Sequence, residues 1–248
     1  MAVAGPLIAE TFSTRLVETK AMSERVRHLV FERVDGRPFE FASGQWVSVI
    51  LPLDDEKGRA LRRSYSIASV PEGTPRFELI VTQVEGGPGS TFLNHASVGT
   101  LLDVKGPQGT FTRVNDGPSL FVATGTGIAP FRGMLHDALS EASTAPLWVL
   151  FGVRGPADFL FQEQLTGLAR ASPRVRLEVT YSRPPVGWLG RTGYVQEHVR
   201  SLWGELGALG GEPHAYVCGV KKMLIEVRTV LRDELGLVRQ RVHLERYD

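Results

Sequence analysis

Between residues 12 and 111, apolar and polar side chains alternate in short bursts at 23–34, 45–51, 64–70 and 77–84, separated by turn-forming residues. A period of two sends apolar groups to one face of a strand and polar groups to the other. Runs of this length, broken by turn chemistry, predict a small antiparallel barrel. After Asn115-Asp116-Gly117-Pro118 the pattern changes: compact apolar runs at 120–123, 147–151, 175–180 and 215–218 alternate with helical stretches. Strands of this kind are buried on both faces, and their alternation with helices implies right-handed βαβ units and a parallel sheet. The predicted architecture is therefore two domains. An N-terminal antiparallel β-barrel covers 1–115, and a C-terminal α/β parallel-sheet domain covers 116–248. No internal repeat or low-complexity segment interrupts either.

Composition narrows the classes of function. The 248 residues, 42% of them hydrophobic, suffice for two modest cores. Lys and Arg number 28 against 27 Asp and Glu, so no overall field recruits a polyanion and nucleic acid is not an expected partner. The lone Cys218 excludes an internal disulfide and a cluster held by four thiolates of this chain, and fits a reducing, cytoplasmic setting. No basic residue precedes Arg15 and no apolar run reaches the roughly 18 residues of a membrane span, so neither secretion nor membrane insertion is expected. Histidines at 28, 95, 136, 198, 214 and 243 are scattered without metal-like spacing, and no metal is expected.

Two glycine turns carry candidate chemistry in the second half. Leu120-Phe121-Val122-Ala123-Thr124-Gly125-Thr126-Gly127-Ile128-Ala129-Pro130 leads from a buried strand through glycines to a proline suited to a first helical turn. Gly125 and Gly127 let backbone amides approach a pyrophosphate, and a helix N-terminus favours the anion. An ordinary strand-to-helix turn has the same appearance, because short Gly-x-Gly stretches also occur without a ligand. The second turn, Cys218-Gly219, precedes a helix beginning near Lys221. In a doubly wound sheet, strands one and four flank the topological switch, so both turns open onto one crevice. On residue type alone, Cys218 is a small buried hydrophobe.

The barrel half carries Arg62-Arg63-Ser64-Tyr65-Ser66-Ile67-Ala68-Ser69. Period two puts Arg63 and Tyr65 on one face, Ser64 and Ser66 on the other. Arginine suits a diphosphate, and a tyrosine ring can cover an isoalloxazine while its hydroxyl bonds a ribityl oxygen. A half-exposed strand with a solvated arginine is the plainer reading of the same residues. Gly86-Gly87-Pro88-Gly89-Ser90-Thr91 adds a candidate anion nest, a glycine loop leading into an N-cap serine.

In this order the motifs resemble those of the ferredoxin–NADP reductase superfamily across nearly the whole chain. The resemblance implies FAD in the barrel, held by the family's Arg-x-Tyr-Ser motif at Arg63, Tyr65 and Ser66, with Ser64 between them. Arg63 then takes the pyrophosphate, Tyr65 stacks on the flavin and Ser66 sits near its N5 edge, while Gly89-Ser90-Thr91 donates to the same pyrophosphate. The family's Gly-Thr-Gly-Ile-Ala-Pro-Phe stretch stands intact at 125–131 and includes Thr126, Gly127 and Pro130. Its Cys-Gly turn is Cys218-Gly219, with Cys218 beside the nicotinamide during hydride transfer. The ending His243-Leu244-Glu245-Arg246-Tyr247-Asp248 is similar to the plastid-type His-Val-Glu-x-Tyr ending. That similarity assigns Tyr247 to the flavin face and Glu245 to a proton path to flavin N5, with Asp248 a departure one residue beyond the tyrosine. Ser182, Arg183 and Tyr194 resemble the family's positions for the 2′-phosphate and adenine, and Arg154 and Arg191 resemble extra arginines of some bacterial members. No Asp or Glu stands between Thr180 and Tyr194, so NADPH is expected ahead of NADH.

The function implied is an FAD-dependent oxidoreductase moving electrons between NADPH and a one-electron carrier, ferredoxin or flavodoxin, by hydride transfer through flavin N5 in a cytoplasmic monomer. Two alternatives stand beside it: an NAD(P)H-dependent reductase component of an oxygenase or haem-protein system, and a low-turnover flavin-binding, redox-responsive module. The glycine turns and Cys218 weigh against the module, which needs no nicotinamide crevice.

Overall fold

A computed structural model describes residues 9–247. The chain divides into two units by contact: residues up to Thr112 together with Ala129–Met134, and Arg113–Ile128 together with the residues from Leu135 onward.

The first unit is built on six antiparallel strands: β1 (Glu10–Ala21), β2 (Val26–Arg33), β3 (Trp46–Asp54), β4 (Ala60–Ser66), β5 (Arg76–Thr82) and β6 (Leu101–Gln108), in the order β4-β3-β6-β1-β2-β5. Helix α1 (Pro88–His95) lies between β5 and β6 in sequence. The alternation along the sequence is the burial pattern: Val47, Val49 and Leu51 of β3 and Phe77, Leu79 and Val81 of β5 point inward to one core. Its centre is aromatic, with Phe39 packed on Phe77 at a ring separation of 5.0 Å and on Phe12 at 5.2 Å. Two strands are not legible in that pattern. In β1 the inward row Phe12, Thr14, Leu16 is interrupted by a threonine, whose hydroxyl is satisfied by the Leu102 carbonyl at 2.8 Å. In β6 the Gly106-Pro107 pair signals a turn, yet Gly106 continues the strand because a Cβ there would meet Val47 Cγ1 at 2.7 Å.

The outer strands β4 and β5 meet just past the end of β4, where the Ala68 amide donates to the Glu78 carbonyl at 2.8 Å. Arg132 ties the same point, donating to the Ala68 carbonyl at 2.6 Å and to the Glu78 carboxylate at 2.7 Å, and His28 adds a contact to that carboxylate at 3.0 Å. The Arg-x-Tyr-Ser motif thus lies on an outer strand whose end is held from two sides.

The second unit is a parallel sheet: β7 (Ser119–Thr124), β8 (Leu147–Val153), β9 (Val175–Tyr181), the two-residue β10 (Arg191–Thr192), β11 (His214–Val220) and β12 (Val242–Tyr247), ordered β10-β9-β8-β7-β11-β12. The helices are α2 (Ala129–Ser140), α3 (Gln162–Ala171), α4 (Gln196–Ala208) and α5 (Lys221–Arg228). β8 is buried at every residue and β7 at all but its last, which is why both read as unbroken apolar runs. The strand order reverses between β7 and β11, which pair in register from His214 opposite Ser119 to Cys218 opposite Ala123. The glycine turn at Gly125 leaves β7 after Thr124, whereas Cys218-Gly219, expected as a second turn, is still strand: β11 runs to Val220 and pairs Gly219 with Arg246 of β12, so the turn after β7 lies against the last residues of β11.

The clamp on β4 makes stability depend on acid. Burial pushes the Glu78 carboxyl up, but hydrogen bonds from His28 and Arg132 outweigh it and bring it to about 2 against an ordinary 4.5. A depressed carboxyl contributes stability above its unfolded value, and the contribution disappears as pH falls through the folded one. We expect the stability difference between the protein and its Glu78→Gln variant to shrink from about pH 4.5 down to 2. Urea midpoints across that range measure it, and a constant difference would count against the clamp.

Candidate functional site

Each unit carries one site. On the first, β4 presents Arg63 and Ser64 exposed, Tyr65 half-buried against the aromatic core, and Ser66 buried. Burial pushes the Tyr65 phenol up to about 12, with the neighbouring Arg63 charge opposing, so the hydroxyl stays a neutral donor at any working pH. α1 begins beside Arg63. A Cβ at Gly89 would stand 2.8 Å from both Arg63 Cγ and Leu51 Cδ1, so only glycine lets the helix start press against the arginine. First-turn amides have no helical acceptor, and here they sit next to a guanidinium, which makes a cradle for an anion. An open cleft of about 940 Å³ adjoins it, lined by Arg63, Pro88 and the hairpin between β3 and β4. The hairpin side of the cleft carries Asp54, Asp55 and Glu56 beside Lys57 and Arg59, so the positive ground for an anion is confined to Arg63 and the start of α1.

One expectation for that loop changes. The expected N-cap serine is not a cap: Gly87 holds that position, Pro88 opens the first turn, and Ser90 lies inside it. Proline has no amide to leave unpaired there, which favours the earlier start. The buried Ser90 hydroxyl accepts from the Val84 amide and donates to the Gly87 carbonyl, both at 3.0 Å, so it locks the loop. What Ser90 can offer an anion is its backbone amide. Thr91 is exposed on the next turn.

On the second unit the turn after β7 touches the Cys218-Gly219 end of β11. A Cβ at Gly127 would fall 2.2 Å from the Cys218 carbonyl oxygen, and one at Gly219 would fall 2.4 Å from Thr124 Oγ1. Thr126 is half-buried between them, and Pro130 stands in the first turn of α2. The Thr124 hydroxyl is buried without a hydrogen-bond partner. Sequence reasoning misses Thr124; the available signal is a hydroxyl on the last residue of an otherwise apolar buried strand.

Cys218 is completely buried. Burial, reinforced by the Glu245 charge, pushes its thiol well above the ordinary range, and a hydrogen bond with the Tyr247 side chain only partly opposes this. It is therefore a protonated thiol and not a nucleophile. β12 runs parallel to β11 with Glu245 opposite Cys218 and Tyr247 opposite Val220. The three residues drawn from distant motifs thus form one cluster. Asp248 lies outside the described residues.

The remaining candidates gather past the ends of β8 and β9. The Ser182 amide donates to the Val153 carbonyl at 3.0 Å and the Arg183 amide to the Arg154 carbonyl at 2.8 Å, which sets Arg154 and Arg183 side by side and exposed. Among the described residues, no carboxylate pairs with either. Tyr194 is 62% exposed, its amide held by Glu197 at 3.1 Å. Arg191 differs: its Nε donates to Glu178 at 2.9 Å, so this arginine is engaged by a carboxylate from outside the acid-free stretch 181–193.

Comparison with known proteins agrees with this architecture. The FAD-binding domain of oxidoreductases matches residues 13–112, and the oxidoreductase NAD-binding domain matches 121–229. Ferredoxin–NADP reductase B of Sorangium cellulosum is 49% identical over 244 residues, covering 97% of this chain and 99% of the relative. The ferredoxin–NAD(P)(+) reductase component of the naphthalene 1,2-dioxygenase/salicylate 5-hydroxylase systems of Ralstonia sp is 31% identical over 85% of this chain and 62% of its own length. In fold, the chain is similar to the Amycolatopsis cytochrome P450 reductase, with a TM-score of 0.83 at 23% identity over 99% of this chain and 73% of that one. The cytochrome b5 reductase domain of Ulva prolifera nitrate reductase gives 0.77 at 20% identity, covering 95% and 97%. The chain belongs to the ferredoxin–NADP reductase superfamily. Within it, this is a two-domain oxidoreductase with an FAD-binding barrel and an NAD(P)-binding sheet.

Gly127→Ala tests the junction of this turn with β11. Its new methyl meets backbone, which no rotamer change relieves. We expect a cost of about 1–3 kcal/mol by denaturation, the range for overpacking, and weakened NADP⁺ binding. Wild-type stability and affinity together would mean that the turn and β11 are not in contact.

Proposed function

We propose that the chain is a ferredoxin–NADP reductase: an enzyme that accepts hydride from NADPH onto FAD and passes the two electrons singly to ferredoxin, with flavodoxin an alternative carrier. Bound FAD supplies the exchange between two-electron and one-electron chemistry. The observation that carries the proposal is the cluster at the turn junction: Gly127 against Cys218, the unpartnered Thr124 hydroxyl, and a neutral thiol beside Glu245 and Tyr247. Full-length kinship to a protein named ferredoxin–NADP reductase supports the choice of acceptor.

The roles follow from the chemistry of each group. Arg63 and the first-turn amides of α1 hold the FAD pyrophosphate by charge and direct donation. Tyr65, kept neutral, covers the ring and donates its hydroxyl without adding charge, and Ser66 stands at the ring's reactive edge. Thr126 and Gly127 bring amides to the coenzyme pyrophosphate, and Pro130 fixes the helix start behind them. Thr124 completes its hydrogen bonding on the nicotinamide amide. Cys218 gives a neutral, polarizable wall to the nicotinamide, and the Glu245 carboxylate favours the ring that becomes cationic when hydride leaves. Tyr247, hydrogen-bonded over the thiol, must yield for the ring to enter. Arg154, Ser182 and Arg183 receive the 2′-phosphate, and the exposed Tyr194 ring stacks on adenine.

The test is the purified protein with NADPH and ferredoxin. It should carry one FAD, and NADPH should reduce ferredoxin through it. Cys218→Ser should slow flavin reduction in stopped-flow while leaving NADP⁺ affinity nearly unchanged, and a wild-type rate would reduce Cys218 to core packing. Arg183→Ala should cost about 1.5–3 kcal/mol in NADPH efficiency, roughly tenfold or more, with NADH efficiency steady. Equal losses for the two coenzymes would reject the 2′-phosphate role.

A further inference from the structure

The three arginines near the proposed 2′-phosphate site are not equivalent. Arg154 and Arg183 are exposed without a carboxylate, whereas Arg191 is drawn away. In the parallel pair of β10 and β9, Arg191 lies opposite Thr180. Glu178 is two residues before Thr180 on the same face by alternation, and Ser182 is the first residue past the carboxyl end of β9. At about 3.3 Å per residue, the guanidinium is folded back about 7 Å toward Glu178, and an equal swing the other way brings it level with Ser182. The backward position is built. Arg191 Nε donates to Glu178 Oε2 at 2.9 Å, and its Nη1 meets His198 Nδ1 at 3.4 Å. The His198 Nε2 proton is directed to the Thr192 carbonyl at 2.9 Å, which leaves Nδ1 as the acceptor for the arginine. Arg176 holds the other oxygen of Glu178 at 2.7 Å and also reaches Glu205 at 2.7 Å, so the carboxylate is fixed in place. Both members of the Arg191–Glu178 pair are about three-quarters shielded from solvent, which limits screening of the pair.

We propose that Glu178 is a specificity-determining residue: it holds Arg191 in reserve, and a 2′-phosphate must win the guanidinium from this carboxylate. The inference deepens the NADPH reading and rests on it. Glu178 thereby subtracts from the discrimination that Arg154 and Arg183 provide, leaving NADH usable. Removing its charge should release Arg191 forward and sharpen the preference.

The experiment is calorimetric titration of the FAD-loaded protein with 2′,5′-ADP and, separately, with 5′-AMP, which lacks the second phosphate. Glu178→Gln should bind 2′,5′-ADP several-fold tighter, up to about tenfold for one additional charge-assisted hydrogen bond, with 5′-AMP unchanged. Adding Arg191→Ala to Glu178→Gln should abolish that increase in affinity. A Glu178→Gln protein in which both probes shift alike, or neither shifts, overturns the proposal. Should that variant fold poorly, Arg191→Ala alone decides: loss of affinity confined to 2′,5′-ADP supports a guanidinium that swings forward, and equal or absent losses reject it. The wild type separates the two levels of inference. If it binds 2′,5′-ADP no tighter than 5′-AMP while Glu178→Gln does, the NADPH reading fails and the restraint by Glu178 stands. If the wild type prefers 2′,5′-ADP and both variants match it, the restraint fails alone.

Discussion

The contact between Gly127 and the Cys218 carbonyl is the constraint around which the second unit is arranged. Parallel strands β7 and β11 pair in register as far as Ala123 opposite Cys218, and the turn that follows β7 packs against the last residues of β11. Any side chain at 127 would overlap backbone, and any at 219 would overlap the Thr124 hydroxyl. Glycine at both positions brings peptide groups where side chains would otherwise stand, and a phosphate or a flat amide recognises peptide groups. The same approach seals Cys218 beneath the turn, and β12, running beside β11, supplies the Glu245 charge and the Tyr247 hydrogen bond that act on it. A single packing decision at the strand ends thus sets the burial of Cys218 and the polar groups that surround it.

How much of this the sequence discloses depends on whether a residue's surroundings are local. β7, β8 and β11 are legible because burial on both faces leaves nearly unbroken apolar runs, whereas β9 alternates Val175, Leu177 and Val179 with Arg176, Glu178 and Thr180 and is half-buried through its middle. β1 is hidden by an inward threonine whose partner is 88 residues away, and β6 by a glycine and proline that keep strand geometry through contacts no window reveals. The two residues of β10 are too short for any period. Motif order locates Arg63, Cys218, Glu245 and Tyr247, but it cannot tell that Ser90 turns its hydroxyl inward, that Thr124 is left unpartnered, or that a glutamate outside the acid-free stretch captures Arg191. Those three facts are side-chain directions, set by tertiary contacts.

Arginine use illustrates the difference between a charge that builds and a charge that waits. Arg33 is buried between Glu10 and Asp35, Arg113 reaches Glu141, Arg132 reaches Glu78 and Arg176 bridges Glu178 and Glu205. A shielded guanidinium needs a carboxylate because its desolvation must be offset, and each of these joins elements distant in sequence. Arg63 stands exposed beside a helix start, and Arg154 and Arg183 stand exposed beyond strand ends, with no carboxylate paired to them among the described residues. The near-neutral net charge conceals this division, since pairing consumes acids and bases alike and leaves local positive ground only where no acid was supplied.

The Cys218 thiol limits what the site can do. A lowered thiol pKa needs a nearby cation, a metal or a helix N-terminus, and this thiol instead has burial and a carboxylate neighbour, both of which push it up. Nucleophilic and disulfide chemistry are thereby closed to it, and what remains is a small neutral sulfur of fixed position. With the sulfur protonated, the charge beside this position is that of Glu245, one strand further out, and Tyr247 of the same strand is hydrogen-bonded to the thiol.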